Sequence, residues 1–241
     1  MCAAIQSGYI AGLSAPRPTL LDEQESWMRP FVACSDDDLS DFWDRVRDYP
    51  EANPPSNVLD GFKRSLPDEA RLIRLCAVVR GGGSLGRPRY IAVAEWRGGQ
   101  VLREAKGLVP SAWTWAQDRV PDSSTLLKVA RGRFRSPDPS FDTDGLFIYR
   151  RVAPDSRKVE LGDDPGSRLN RDLLRAMGFD LGSIHAAHPT IEKEIEGDLN
   201  RRPATWFEEA TEKAVIAVRE DYDDWMTKSA RTDDARNIRK S

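Results

Sequence analysis

Residues 75–113 read LCAVVRGGGSLGRPRYIAVAEWRGGQVLREAKGLVPSAW, and the meaning of this stretch decides the fold. A nearly unbroken apolar run, residues 72–79, leads into it, as a strand buried on both faces would. Gly81, Gly82, Gly83 and Gly86 follow in the spacing G-x-G-x-x-G. In a dinucleotide-binding fold a helix opens at the third glycine, so that its free N–H groups meet the pyrophosphate. Here Arg87-Pro88-Arg89 comes next, and then Tyr90-Ile91-Ala92-Val93-Ala94. Tyr, Ile and Val favour strands, and proline suits the first residue of a strand better than a helix interior. The order is therefore strand, glycine loop, strand. Gly98-Gly99 then turns the chain into a third strand over residues 100–106.

An antiparallel hairpin with a glycine tip, followed by a strand that carries a cation, is how kinase folds cover nucleotide phosphates. Glycines let backbone N–H groups approach the phosphates, and the cation pairs with them. On this reading Gly81, Gly83, Ser84 and Gly86 hold the phosphates of ATP and its Mg²⁺, with Arg103 or Lys106 beneath. Arg103 and Lys106 are three positions apart on one strand and so point to opposite faces. One of them enters the cleft. The same spacing also describes a glycine-rich hairpin that binds nothing, and pattern alone does not separate the two.

The run GGGSLGRPRYIAVAEW, with REAK and PSAW after it, resembles the central motif of an uncharacterised bacterial family, domain of unknown function 2252. Members carry a similar G-x-GSLG-x-x-RY segment, a strand ending in Lys-Glu-Ala, and a following Pro-Ser. The likeness continues through Phe147-Ile148-Tyr149-Arg150-Arg151 to Leu161 and through Leu181-Gly182-Ser183-Ile184-His185-Ala186, and is weaker before Leu72. The resemblance implies a kinase-like fold whose Gly-Asp-x-His-x-x-Asn motif and acidic motif precede the glycine hairpin. Neither histidine here does so: His185 and His188 both follow the hairpin. The resemblance thus implies the C-terminal part of a longer fold, truncated and without phosphotransfer activity of its own. The family's Lys-Glu-Ala is Arg103-Glu104-Ala105 in this chain. Arginine presents a rigid fork where lysine presents a point charge.

A chain of 241 residues makes one large domain or two small ones. We expect one α+β domain in four segments. Residues 1–67 are helical with a proline-rich connector, and 68–165 form an antiparallel sheet with the glycine loop. Residues 166–228 are helical again, and 229–241 are a polar, disordered tail. Helices from both ends pack around the sheet. Apolar residues are 39% and charged residues 31%, against a usual quarter for the latter, which describes a heavily solvated fold. Lys plus Arg number 36 against 39 for Asp plus Glu, a net charge of −3. That balance supplies no electrostatic ground for binding nucleic acid or an anionic membrane. Cys2, Cys34 and Cys76 match neither a disulfide framework nor a zinc site, which points to a reducing cytoplasm. No secretory signal is expected, and no run approaches the length of a membrane span.

Smaller signals fill in the rest. Residues 3–13 are mostly apolar and start without a cap, as a helix continued from upstream would, and exposed apolar surface there favours association. Ser35 with Asp36, Asp37 and Asp38 opens a helix whose stripe is Leu39, Phe42, Trp43 and Val46. Ser111 caps a turn carrying Trp113 and Trp115, which are expected to be buried. Residues 146–152 and 158–161 read as two further strands. Leu173, Met177, Leu181, Ile184 and His188 define one helix face, while Gly178 and Gly182 allow a neighbour to approach closely. His185 and His188 have metal-ligand spacing but no local acidic or cysteine partner. Asp142, Asp144 and Gly145 make only part of a calcium loop, and Asp163 and Asp164 are carboxylates of suitable type in a turn. Thr205 and Glu208 have the spacing of a capping box, and the helix after them presents Phe207, Ala210, Ala214, Val218, Tyr222 and Trp225 on one face.

Overall fold

Strand formers on both sides of the glycines pair antiparallel. The computed structural model describes residues 1–20, 26–79, 86–119, 123–136, 138–155 and 171–238. Within them, β1 (Arg71–Ala77), β2 (Arg89–Trp96), β3 (Gly99–Gly107), β4 (Asp142–Thr143) and β5 (Phe147–Val152) form one five-stranded sheet. Its order is β1-β2-β3-β5-β4 and every pairing is antiparallel. The chain is an α+β protein, and no helix starts at Gly86. The expected strand at 158–161 lies outside the described residues.

The β2–β3 turn is centred on Arg97-Gly98, one residue earlier than the double glycine suggests. Arg97 has φ +50° and Gly98 φ +82°, and Trp96 pairs with Gly99. Two positive φ values in a two-residue loop match the twist of the strands it joins. β1 differs from the expectation of burial on both faces. It stands at one end of the sheet order, with a register shift at Ile73, and Leu72 and Ile73 are exposed. Residues Pro50–Ala52 lie along its outer side: Ala52 N–H donates to the Leu75 carbonyl at 2.9 Å, and Ala77 N–H to that of Pro50 at 3.0 Å.

Each face of the sheet receives one helix. Helix α1 (Cys2–Ser14) precedes the sheet unit, and a 3₁₀ turn at Ser26–Met28 runs into α2 (Arg29–Val32). Then α3 (Asp36–Asp48) begins with a reciprocal cap. Asp38 N–H donates to the Ser35 hydroxyl at 3.1 Å, and Ser35 N–H to the Asp38 carboxylate at 3.0 Å. Phe42, Trp43 and Val46 of α3 pack on Cys76, Val78, Ile91, Val93 and Leu102. Helix α4 (Ser56–Ser65) covers the opposite face, with Val58 and Phe62 against Ala92, Ala105, Phe147 and Tyr149. Gly61 of α4 lies directly on the Tyr149 ring, where any Cβ would collide with it. Two short helices, α5 (Ala112–Ala116) and α6 (Ser123–Ala130), follow the third strand. Ser111 caps α5 as read, accepting from Thr114 N–H at 3.0 Å. Trp113 and Trp115 are exposed rather than buried, because a five-residue helix has no inward face to offer both.

Residues 16–170 form one compact unit, and residues 1–15 with 171–241 form another. The first residues of the chain therefore separate from the rest of 1–67. In the second unit α1 meets α7 (Arg171–His185), followed by α8 (Pro189–Arg201) and α9 (Trp206–Ile238). The α1–α7 contact is a glycine seam. Gly8 and Gly12 of α1 face Gly178 and Gly182 of α7, and a Cβ on any of the four would overlap a backbone carbonyl of the other helix. Those carbonyls belong to Arg175, Phe179, Ile5 and Tyr9, and the contacts advance together along both helices, so the two run parallel.

This seam revises two expectations. The buried face of α7 is Leu174, Gly178 and Gly182, while Met177 and Leu181 on the expected face are exposed. Close backbone approach outweighs the larger side chains here. On α1, Ala4, Gly8, Gly12 and Leu13 are covered, so its apolar face is not an open surface, although Ile10 remains exposed. The helix starts at Cys2 without a side-chain cap. Helix α9 also continues to Ile238, past the expected end at 228. Polarity alone does not stop a helix that lacks proline and glycine and contains alanine, lysine and arginine. Its Thr205 hydroxyl donates to Glu209 at 2.7 Å rather than capping with Glu208.

Candidate functional site

The glycine loop leaves the sheet where the β1–β2 ladder ends. Val78 N–H donates to the Arg89 carbonyl at 2.9 Å, and residues 79–88 connect the two strands beyond that bond. Gly81, Gly83 and Ser84 lie outside the described residues. Gly86 has φ +75°, a left-handed conformation that glycine adopts without strain, and nothing stands within 4 Å of where its side chain would be. Pro88 fixes the exit of the loop to β3. Gly107 N–H donates to the Pro88 carbonyl at 2.9 Å, and a Cβ on Gly107 would lie 3.1 Å from the proline ring.

Alternation along the strands then brings charges together at this end of the sheet. Arg89 is the cross-strand partner of Lys106, and Arg150 that of Glu104. All four project from the face that α3 packs on, beyond the apolar contacts of that helix. Glu104 is 1% exposed and accepts from Arg89 Nη1 at 3.0 Å and Arg150 Nε at 2.6 Å. A carboxylate buried that deeply requires such partners. Half-buried Lys106 stands across from Arg89 on β3, and exposed Arg87 lines the adjoining cavity with Arg89. A cavity of about 480 Å³ opens here, lined by Tyr49, Pro50, Val78, Val79, Arg87 and Arg89 among others.

Arg103 is not part of this cluster. It projects from the opposite face, pairs with Ala92 rather than with the loop end, and is 5% exposed beneath α4. Its Nε–H donates to the Ser65 carbonyl at 2.6 Å, its Nη1 to the Leu102 carbonyl at 2.9 Å, and its Nη2 to the Ser140 hydroxyl at 3.0 Å. Burial pulls the Arg103 guanidinium below its usual pKa, and the Asp138 carboxylate pushes the other way. Arg74 has the matching role under α3, donating to the Arg47 carbonyl at 2.9 Å and to that of Val46. Both arginines donate to last-turn carbonyls of the helix above them, of which Val46 also accepts from Tyr49 N–H at 3.4 Å. Of the two cations weighed for the cleft, Lys106 is the one across from Arg89, at the end of the sheet from which the loop leaves.

Sequence reading overlooked Arg89, Glu104 and Arg150. The signal was present as ionic residues at alternate positions of otherwise apolar strands, where a carboxylate cannot be buried alone. The other carboxylates singled out are engaged or outside the described residues. Asp144 accepts from the amides of Leu146 and Phe147 at 2.9 and 2.7 Å and from the Tyr149 hydroxyl at 2.8 Å. Asp163 and Asp164 fall in 156–170, which is not described. Among the described residues no group of three or more His, Cys, Asp or Glu is placed to hold a metal ion. Nor is any of their helices long and apolar enough to cross a membrane.

What the fold and site define is an α+β protein with an antiparallel sheet whose glycine-loop end carries an excess of cations. Comparison with family models, with curated proteins and with solved structures finds no match.

Proposed function

We propose that this chain is a kinase-like module that binds the phosphates of a nucleotide at the glycine-loop end of the sheet and does not itself transfer phosphate. The observation that carries this reading is the gathering of Arg87, Arg89, Lys106 and Arg150 at the end of the sheet where β1 and β2 part, with Glu104 as the carboxylate that Arg89 and Arg150 hold. Arg89 and Arg150 neutralise the carboxylate, and Lys106 and Arg87 remain to meet an anion arriving under the loop. The loop glycines would add backbone N–H donors, and the adjoining cavity would take an apolar ring. Lys106, not Arg103, is the phosphate partner. Phosphoryl transfer also requires carboxylates that hold Mg²⁺ and a group that orients the acceptor. Neither is assigned here, and the sequence contains no Gly-Asp-x-His motif.

Calorimetric titration with ATP, ADP and adenosine, with and without Mg²⁺, tests the reading. ATP and ADP should bind and adenosine should bind far more weakly. Lys106→Ala should weaken ADP about tenfold, the scale of one lost charge-assisted hydrogen bond, while Arg103→Lys leaves it unchanged. Equal binding of adenosine and ADP, or none of either, would remove the phosphate role. Phosphate release from ATP and Mg²⁺ should stay at the background rate. A second reading, an interaction module without nucleotide, is favoured by one feature: Val218, Tyr222 and Trp225 form an exposed apolar stripe on α9.

A further inference from the structure

The helical unit contains a cavity of about 380 Å³ that shares no residue with the glycine-loop site. It lies among α1, α7, α8 and the first turn of α9, all within residues 1–15 and 171–241. Ile5, Leu181, Ile195 and Leu199 supply aliphatic walls, and Trp206 and Phe207 an aromatic one. Its volume falls within the range of about 300–1,000 Å³ typical of small-molecule sites, which combine apolar walls with a few polar groups.

Besides the Gln6 carboxamide, the uncharged polar groups here form a pair. Tyr9 Oη and His185 Nδ1 are 2.7 Å apart, their rings meet edge-to-face at 5.6 Å between centroids, and both line the cavity. Burial pushes the Tyr9 phenol up, so the hydroxyl keeps its proton and is able to donate to Nδ1. A neutral imidazole that accepts at Nδ1 carries its own proton on Nε2. With the Tyr9 hydroxyl donating, the remaining ring nitrogen is a hydrogen-bond donor. The charged residues of the wall answer each other. Arg202 Nε donates to Asp198 at 2.6 Å, and the guanidinium lies over the Trp206 ring, 4.7 Å from its centroid. Asp198 also lies 3.8 Å from Arg201, so the charges of this wall are engaged with one another rather than offered to a ligand.

We propose that this cavity binds a small, uncharged, mainly apolar molecule with one hydrogen-bond acceptor, a ketone or ester carbonyl, which the Nε2–H of His185 receives. A carboxylate would have to compete with Asp198 for Arg202. A pure hydrocarbon would bury the imidazole N–H without a partner, which is costly. A carbonyl on an aromatic or aliphatic body satisfies both the walls and the donor. This inference stands apart from the nucleotide reading and does not depend on it.

The test is calorimetric titration of the full chain with acetophenone, ethylbenzene and benzoate at neutral pH. Acetophenone should bind more tightly than either of the others. Leu199→Trp, which fills the cavity, should abolish binding while far-UV circular dichroism stays unchanged. His185→Phe keeps a ring in place, and should weaken acetophenone about fivefold while leaving ethylbenzene unchanged, the signature of one lost hydrogen bond. Ethylbenzene or benzoate binding as well as acetophenone would overturn the proposal. So would no binding of acetophenone, or an acetophenone affinity that His185→Phe does not alter.

Discussion

The Nε–H of Arg103 donates to the Ser65 carbonyl at 2.6 Å and so ties the middle of β3 to the last turn of α4. The carbonyl belongs to a helix end, where acceptors lack intrahelical donors and a cation is favoured by the helix dipole. Removing the guanidinium leaves the buried Ser65 carbonyl without this donor and frees the half-buried Ser140 hydroxyl. Arg103→Ala should therefore cost about 3 kcal/mol, read as a lower midpoint in urea unfolding followed by circular dichroism. Arg103→Lys should recover part of this, since a point charge replaces a fork. An unchanged midpoint in Arg103→Ala would show that the anchor carries no stability.

The four-glycine seam between α1 and α7 makes an equally specific prediction. Gly12→Ala and Gly178→Ala each insert a methyl group into a backbone carbonyl of the facing helix. The helices must separate, and the contacts along the whole seam are lost with them. Each substitution should destabilise by about 3 kcal/mol, despite the better helix propensity of alanine. Thermal melts monitored at the helical band would measure it, and a rise in midpoint would contradict the seam.

Asp144 sets an acid limit. Burial pushes its carboxyl up, but hydrogen bonds from the Phe147 amide, the Tyr149 hydroxyl, the Leu146 amide and Asn57 outweigh this and hold it below the usual carboxylate range. The unfolded chain therefore binds the proton more readily, so stability from this group is present above about pH 4 and is lost as pH falls through the folded value. Tyr149 works at the other end. Burial and the bond to Asp144 raise its phenol, so its contribution is present below about pH 10 and is lost as pH rises through the folded value. Asp144→Asn should lower stability at pH 7 and flatten both slopes in urea titrations across pH.

The Cys76 thiol is buried in the core beneath α3, and burial raises its pKa, with Arg74 opposing. A raised pKa and lost access both suppress the thiolate. In the native protein at pH 8, Cys2 and Cys34 should react with an aromatic disulfide reagent well before Cys76, which should react only as the chain unfolds. Equal rates for all three, assigned by peptide mapping, would show that this part of the core opens readily.

Local chemistry accounts for what could be read from the residues alone. Strand formers on either side of the glycines, the positive-φ turn near Gly98, and Ser35 with Asp38 at the start of α3 need only neighbours in the chain. So does the rule that Arg103 and Lys106 take opposite faces, because alternation is a property of extended backbone. Which face each takes was not readable, since it depends on where α3 and α4 lie. Helix α4 brought a carbonyl-rich terminus to the Arg103 face, and the loop end of the other face was left to Lys106, Arg89, Arg150 and the buried Glu104. The glycines at 178 and 182 announced a close neighbour, and those at 8 and 12 share their spacing, but nothing local says that the two pairs meet. That match, made across more than 150 residues of chain, exists only once the backbone carbonyls of each helix fill the space left by the other. Packing is a relation between distant surfaces, and tertiary structure alone decides it.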